Sequence, residues 1–258
     1  MKDKIYSQHL PHAVIAPFEF NAEVVAVFQD MISRSVPGYS ASIELALVVA
    51  NQICRSGDHI YDLGCSLGAT TFALIHQAML PPLRVTALDL SKPMIDSFAA
   101  TLTTQGYVRQ DSNLCQHFKK PDSEHTVQLI QGDITQHAYQ QSRLIVLNYV
   151  LQFIKPSSRQ SLLDRLYRCL NDGGMLILSE KIMHADQSLH SLMDKFHLEF
   201  KKLQGYSELE INGKRTALEK VLIPDSLETQ VGRLKAVGFR EVIVGSSHLN
   251  FASLIAIK

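Results

Sequence analysis

Between residues 57 and 181 the spacing of apolar side chains switches repeatedly, from short continuous runs to positions three and four apart. That alternation is what a parallel sheet covered by helices on both faces requires. Five runs read as strands: His59-Ile60-Tyr61-Asp62-Leu63, Arg84-Val85-Thr86-Ala87-Leu88-Asp89, 127–130, 144–147 and 175–178. Stretch 69–79 reads as a helix. Ser91 and Pro93 mark another helix start, because Ser caps free amides and Pro tolerates the first turn. Met94, Phe98 and Leu102 then recur every four residues and place one apolar stripe on the sheet, until Gly106 ends the helix. Leu162, Leu163, Leu166 and Leu170 form a further stripe, stopped by Asn171-Asp172-Gly173-Gly174. The pattern predicts a core of five βα units.

The flanks are organised differently. Stretches 23–31 and 43–53 are amphipathic helices separated by Ser35-Val36-Pro37-Gly38-Tyr39, and they predict a helical arm or lid. Residues 107–126 are polar without clean periodicity and read as a long surface excursion, an insertion. Residues 181–224 are charged and helix-prone. Val242-Ile243-Val244 and Ser253-Leu254-Ile255-Ala256-Ile257 then close the chain as two strands of an antiparallel pair. The expected organisation is a single α/β domain over 1–258, with an arm at 1–55, the βα core at 57–181, a helical insert at 182–224 and C-terminal strands at 225–258.

Composition narrows the class. A chain of 258 residues with 46% hydrophobic side chains can bury a full core. Its 25 basic residues balance its 25 acidic ones, so no broad field favours a phosphate backbone, and direct nucleic-acid binding has no support. The apolar run at 45–50 is too short for a bilayer, and residues 1–9 lack the layout of a signal peptide. A cytoplasmic location is expected. The 4 cysteines have no paired spacing and the 11 histidines are scattered, which fits a reduced compartment and predicts no metal.

The chemistry concentrates where strands end. Asp62-Leu63-Gly64-Cys65-Ser66-Leu67-Gly68 joins a strand to a helix, and its small residues let backbone pass close to a ligand at the carboxyl edge of the sheet. Ser66 breaks the Gly-x-Gly-x-x-Gly spacing, and no Gly-Lys-Ser/Thr follows, so pyrophosphate cradling is disfavoured. Asp89 stands where an acidic side chain accepts bonds from ribose hydroxyls, and Asp133 where a short acceptor meets an exocyclic adenine amine. Each Asp is equally readable as a helix cap. Three acidic positions at three successive strand ends, around a Gly-rich turn, favour a nucleoside site. Asp62 is expected to orient the Gly turn through its amides, and Cys65 to act through its backbone. Asn148 reads either as a substrate contact or as a loop anchor.

Four segments together resemble the carboxy-S-adenosyl-L-methionine synthase family: Ser33-Arg34-Ser35-Val36-Pro37-Gly38-Tyr39, Tyr61-Asp62-Leu63-Gly64-Cys65-Ser66-Leu67-Gly68-Ala69, Leu178-Ser179-Glu180-Lys181 and Gly205-Tyr206-Ser207-Glu208-Leu209-Glu210-Ile211. The strand-turn-helix motif is shared by many methyltransferases, whereas the Val-Pro-Gly-Tyr arm and the Gly-Tyr-Ser-Glu-Leu-Glu insert are far more specific. The resemblance, over roughly residues 18–258, implies a Rossmann-like class I methyltransferase fold. Its sheet would be mostly parallel and seven-stranded, with an antiparallel final strand. It also implies conversion of S-adenosyl-L-methionine and prephenate to carboxy-S-adenosyl-L-methionine and phenylpyruvate. The product would remain bound and would feed a partner carboxymethyltransferase acting on the tRNA wobble uridine. The family is usually a homodimer. By the same resemblance Tyr39, Gly64, Cys65, Ser66, Asp89, Asp133, Ile134 and Asn148 line the nucleoside site, and Arg215 contacts the added carboxylate. The chain departs from the pattern at Leu90, where Asn is expected, and in the length of 107–126. Leu90 would still pack on adenine or contribute its amide.

The chemistry so implied needs cations, because prephenate is a dianion and the product gains a carboxylate; a guanidinium grips a carboxylate through two parallel bonds. Arg215 and Arg34 are the candidates, each with a surface ion pair as its plain alternative. No dedicated general base stands out, so a substrate-derived group is expected to remove the methyl proton. Two other readings stay open at this point: a conventional S-adenosylmethionine-dependent methyltransferase acting on a small molecule or RNA, and a non-catalytic nucleoside-bound partner of a tRNA-modifying enzyme.

Overall fold

The computed structural model describes residues 1–7, 15–77, 79–110 and 115–258. In chain order its elements are α1 (Ala22–Ser35), α2 (Tyr39–Ile53), β1 (His59–Leu63), α3 (Ala69–His76), β2 (Arg84–Asp89), α4 (Lys92–Thr104), β3 (Val108–Arg109), β4 (Cys115–Lys119), β5 (Thr126–Gln131) and β6 (Ser142–Asn148). A 3₁₀ turn (Leu151–Phe153) follows, then α5 (Pro156–Cys169), β7 (Leu170–Met183), α6 (Gln187–Leu203), α7 (Glu208–Leu218), β8 (Asp225–Ser226), α8 (Leu227–Ala236), β9 (Glu241–His248) and β10 (Phe251–Ile257).

The main sheet runs β3-β4-β5-β2-β1-β6-β7-β10-β9, and β8 pairs with β7 off that path. From β5 to β7 the neighbours are parallel, and β10 enters antiparallel between β7 and β9. The seven strands from β5 to β9 along that path are the expected mostly parallel sheet with an antiparallel last strand, and β3 and β4 extend it. Its central strands are buried on both faces, and all five residues of β1 are buried, His59 and Asp62 included, rather than alternating.

Four expectations change. The excursion at 107–126 is not irregular surface throughout: β3 and β4 pair antiparallel with each other and β4 with β5, so the sheet gains an edge. Phe118 is buried there, and a single inward aromatic in a polar strand is too little signal for periodicity to find. Residues 111–114 of that stretch, residue 78 of the expected helix at 69–79 and residues 8–9 of the polar start lie outside the described residues. Second, the third strand β5 has no following helix; residues 132–141 cross to β6 in turns and extended backbone. Third, α2 is no lid: Ala46, Val49, Ala50 and Ile53 pack in the sheet's own core beside Ile60 and Leu144. The stop expected at Asn171-Asp172-Gly173-Gly174 ends α5 but lies inside β7, which begins at Leu170.

The α4 stripe is placed as its spacing demands, with Met94, Phe98 and Leu102 fully buried. Each such side chain contributes roughly 1.5–3 kcal/mol of transfer free energy. Ser91 caps α4 by accepting the Met94 amide. Tyr6, Phe18, Val24, Val27, Phe28, Met31, Met94 and Ala217 form one cluster joining the N-terminal segment, α1, α4 and α7. Asn21 caps α1 through the Glu23 and Val24 amides, and Ser207 with Glu210 makes a capping box for α7, so both helices have fixed starts over the site. No helix among the described residues is long and apolar enough to cross a membrane.

Candidate active site

The carboxyl edge of β1, β2, β5 and β6 opens into a cavity of about 510 Å³, roofed by α1, α6 and α7. Gly64, Ser66, Asp89, Leu90, Asp133, Ile134, Asn148 and Arg215 line it. Tyr39 and Cys65 line a small adjoining recess together with Gly64, Ser66 and Asn148. The fold therefore brings every residue expected at the nucleoside site to one place.

The turn after β1 is built for close approach. Gly64 has φ 74°, and a Cβ there would stand 2.3 Å from the Val150 side chain. Gly68, with φ 83°, lies equally tight against the Phe98 ring. A side chain at either position meets both a backbone penalty and a clash. The Gly64 and Cys65 amides donate to the Leu88 carbonyl at 2.7 and 3.0 Å, which pins the turn to the end of β2. The Cys65 thiol is buried in the core, consistent with a backbone role, and burial pushes its pKa well above the ordinary thiol range.

Asp89 holds the turn from the other side. Its carboxylate accepts the Ser66 amide at 2.9 Å and the Ser91 amide at 2.8 Å. Burial raises its pKa, while the amides of Ser91, Ser66 and Leu90 oppose that rise. Asp133 accepts the amide and hydroxyl of Thr135 at 2.7 and 2.8 Å, so it shapes its own turn while facing the cavity. Asp62 does not orient the Gly turn's amides as expected. It accepts the Thr71 amide at 3.1 Å and hydroxyl at 2.6 Å, tying β1 to α3, and burial lifts its pKa to about 6. Asn148 donates to Thr70 and accepts from Ser179, spanning β6, α3 and β7.

Three residues that shape the cavity's surroundings were given no role by the sequence. Glu180 is buried at the end of a β7 segment and accepts three consecutive amides, from Val150 (3.1 Å), Leu151 (2.7 Å) and Gln152 (3.0 Å). This fixes the chain after β6, where Tyr149 holds a left-handed φ of 63°. Arg159 sits with 0% exposure, donates to the carbonyls of Ile154, Gln152 and Ile223, and pairs with Asp225 at 2.5 Å. It thereby joins the two loops that form one cavity wall. Phe20 makes edge contacts with Phe18, Phe28 and Phe153, an aromatic lining on the α1 side.

Beside β7, α6 and α7 the lining turns cationic, with Lys181, Lys201, Lys214 and Arg215 alongside Asp194 and Glu219. Burial brings Lys214 down to about 7 and Lys201 to about 8. Lysines in charged helical stretches look like solvated surface, but the docking of α6 and α7 buries Lys214 and leaves Lys201 only partly exposed. Arg34, by contrast, is not a cavity residue. It stacks 3.9 Å over Tyr206, pairs with Asp30 at 2.9 Å and donates to the Gln204 carbonyl, so it locks α1 to the insert. No group of three or more His, Cys, Asp or Glu among the described residues is arranged to hold a metal ion.

A doubly wound sheet with this strand order, a Gly-rich turn and an acidic residue at the end of β2 defines the S-adenosylmethionine-dependent methyltransferase class. The methyltransferase domain family matches residues 61–176. Solved structures with the same fold include PigF with SAH, 18% identical at a TM-score of 0.60 over 92% of this chain and 60% of that one. Human N-acetylserotonin methyltransferase in complex with SAM is 15% identical at a TM-score of 0.59, over 92% of this chain and 55% of that one. The carboxy-S-adenosyl-L-methionine synthase of Chromohalobacter salexigens is 42% identical over 100% of this chain and 88% of its own length. That of Pseudomonas syringae pv. tomato is 42% identical over 99% and 98%, and that of Shewanella oneidensis 40% identical over 100% and 98%. The chain belongs to the carboxy-S-adenosyl-L-methionine synthase family and is an enzyme.

Proposed function

We propose that this enzyme converts S-adenosyl-L-methionine and prephenate to carboxy-S-adenosyl-L-methionine and phenylpyruvate. The observation that carries the reading is a single cavity with an acidic, Gly-lined part for a nucleoside and a cationic part for an anion. A plain methyl transfer to a neutral acceptor has no use for Lys201 and Arg215, two cationic side chains lining the cavity.

In this reading Asp89 takes ribose hydroxyls, and Asp133, Ile134 and Leu90 surround adenine. The amides of Gly64, Cys65 and Ser66, with Tyr39 and Asn148, hold the methionine portion. Leu90 is 69% exposed while lining the cavity, so adenine would cover an apolar side chain that otherwise faces water. Arg215 faces the carboxylate that ends on the product, which would stay bound. The sulfonium acidifies its methyl group. Prephenate loses its ring carboxylate as carbon dioxide and its ring hydroxyl as hydroxide, the hydroxide takes the methyl proton as water, and the methyl carbon bonds the carbon dioxide. That sequence needs no protein base, but it needs a site that sheds bulk water, and the Phe18, Phe20, Phe28 and Phe153 lining supplies one.

The product would serve as carboxymethyl donor to a separate tRNA carboxymethyltransferase for oxyacetyl-uridine at the wobble position, in the cytoplasm. Four free cysteines fit that compartment. A homodimer fits the apolar Leu189, Leu192 and Phe196, exposed in a row on α6. The test is incubation of purified protein with S-adenosylmethionine and prephenate, followed by mass spectrometry. A nucleoside heavier by one carbon dioxide is expected; methyl transfer with no carboxylated species would overturn the reading.

A further inference from the structure

The cations lining the cavity are not equivalent. Lys181 on β7 is ion-paired with Asp194 at 3.2 Å. Lys214 on α7 donates to Ser35 at 2.9 Å and lies 3.9 Å from Asp3, whose carboxylate also accepts the Tyr206 hydroxyl. Both charges are therefore balanced from within the protein. Lys201 on α6 and Arg215 on α7 differ: among the described residues neither side chain makes a hydrogen bond or ion pair.

Lys201 is the more telling of the two, because it is not a surface lysine. Burial and the neighbouring Lys181 lower its pKa to about 8, and Arg215 pushes the same way, with Asp194 alone opposing. The other charged or titratable groups facing it are Lys214 on α7 and His197 on its own helix. His197 is neutral near pH 7, since burial and Lys201 hold its pKa near 3. Asp194 is already shared among Lys181, His190 and Asn250. Lys201 is only partly exposed and lines the cavity, and an ammonium so placed without a partner is stabilised by a counter-ion that enters there.

We propose that Lys201 is the second anion grip of the cavity and binds the 2-oxo carboxylate of the dianionic substrate, while Arg215 serves the carboxylate gained by the nucleoside. The assignment rests on the prephenate reading above. The ring carboxylate must surrender its charge as it leaves as carbon dioxide, so a tight ion pair on it would oppose the reaction. The 2-oxo carboxylate keeps its charge from substrate to product. A cation there stabilises ground and transition states alike, so its removal acts on KM rather than kcat.

The experiment compares wild type with Lys201→Gln and Lys201→Arg. It measures prephenate KM and kcat, S-adenosylmethionine affinity by calorimetry, and phenylpyruvate affinity as a readout without turnover. Lys201→Gln is expected to raise KM and weaken phenylpyruvate roughly 10- to 100-fold, the range of a lost charge-assisted bond, with kcat and S-adenosylmethionine affinity within about threefold. Lys201→Arg is expected to recover most of the loss. In wild type an anion raises the Lys201 pKa, so phenylpyruvate binding should take up a proton above pH 8 and weaken as pH rises there.

Unchanged KM and phenylpyruvate affinity in Lys201→Gln overturn the proposal while leaving the carboxylation reading intact, as does a fall in kcat alone. Should Lys201→Gln fail to fold by circular dichroism, the wild-type proton count decides: no uptake above pH 8 overturns it. A wild type that binds phenylpyruvate with uptake but forms no carboxylated nucleoside overturns the reaction and keeps the grip.

Discussion

The Asp89 carboxylate accepts the Ser66 amide at 2.9 Å, so the residue expected to read the ribose also braces the turn that would carry the methionine portion. One carboxylate thus couples two parts of the nucleoside site. Asp89→Ala is expected to weaken S-adenosylmethionine binding by roughly 1.5–3 kcal/mol, and Asp89→Asn by less, because an amide oxygen still accepts one bond. Calorimetry on both variants checks this; affinity equal to wild type in Asp89→Ala would remove the residue from the site.

Gly64 is irreplaceable for two independent reasons, a φ of 74° and a Cβ position 2.3 Å from Val150. Gly64→Ala is expected to lower stability by about 1–2 kcal/mol through backbone strain alone. The steric part should be partly relieved in the double variant with Val150→Ala, a coupling that thermal melts of the four proteins measure.

Arg215→Ala is expected to spare S-adenosylmethionine but to weaken carboxy-S-adenosylmethionine by roughly 1.5–3 kcal/mol. Calorimetry with the two nucleosides tests it, and equal losses for both would take the guanidinium away from the added carboxylate.

His197 gives a pH signature. Its ring shares a 2.8 Å hydrogen bond with the Ser35 carbonyl, and burial, then Lys201, bring its pKa to about 3 from an ordinary 6.5. The unfolded chain therefore binds a proton below pH 6.5 that the folded chain refuses, so stability falls as pH drops from 6.5 toward 3. Denaturant melts of His197→Gln should show a shallower fall over that window than wild type.

The Arg159–Asp225 pair loses stability in acid as well, through a carboxylate rather than a ring. Burial alone would raise the Asp225 pKa, but bonds from Arg233 and Arg159 outweigh it and hold the carboxyl below its usual range. Its contribution is complete above the ordinary carboxylate pKa and is lost as pH falls through the lowered value. Asp225→Ala leaves the fully buried Arg159 with only carbonyl partners and is expected to cost about 3–5 kcal/mol, readable as a lower melting temperature.

The nucleoside half of the site was legible because strand ends and Gly turns leave local marks: β1, β2 and β5 lie where their apolar runs place them, with Gly64, Asp89 and Asp133 at their exits. The anion half was not. Lys201 and Lys214 acquire their character from the docking of α6 and α7, and Arg34 stayed open between two readings because its stacking partner, Tyr206, is far away in sequence. The β3–β4 pair escaped because short, mostly exposed strands at a sheet edge need no regular alternation.

Glu180 clamps three successive amides beside the nucleoside cavity, and it does so with protein groups alone. The conformational entropy of that segment is thus surrendered when the chain folds, not when a ligand docks. A substrate meets a wall already shaped for it, and its arrival should leave the amide exchange of Val150, Leu151 and Gln152 as slow as before.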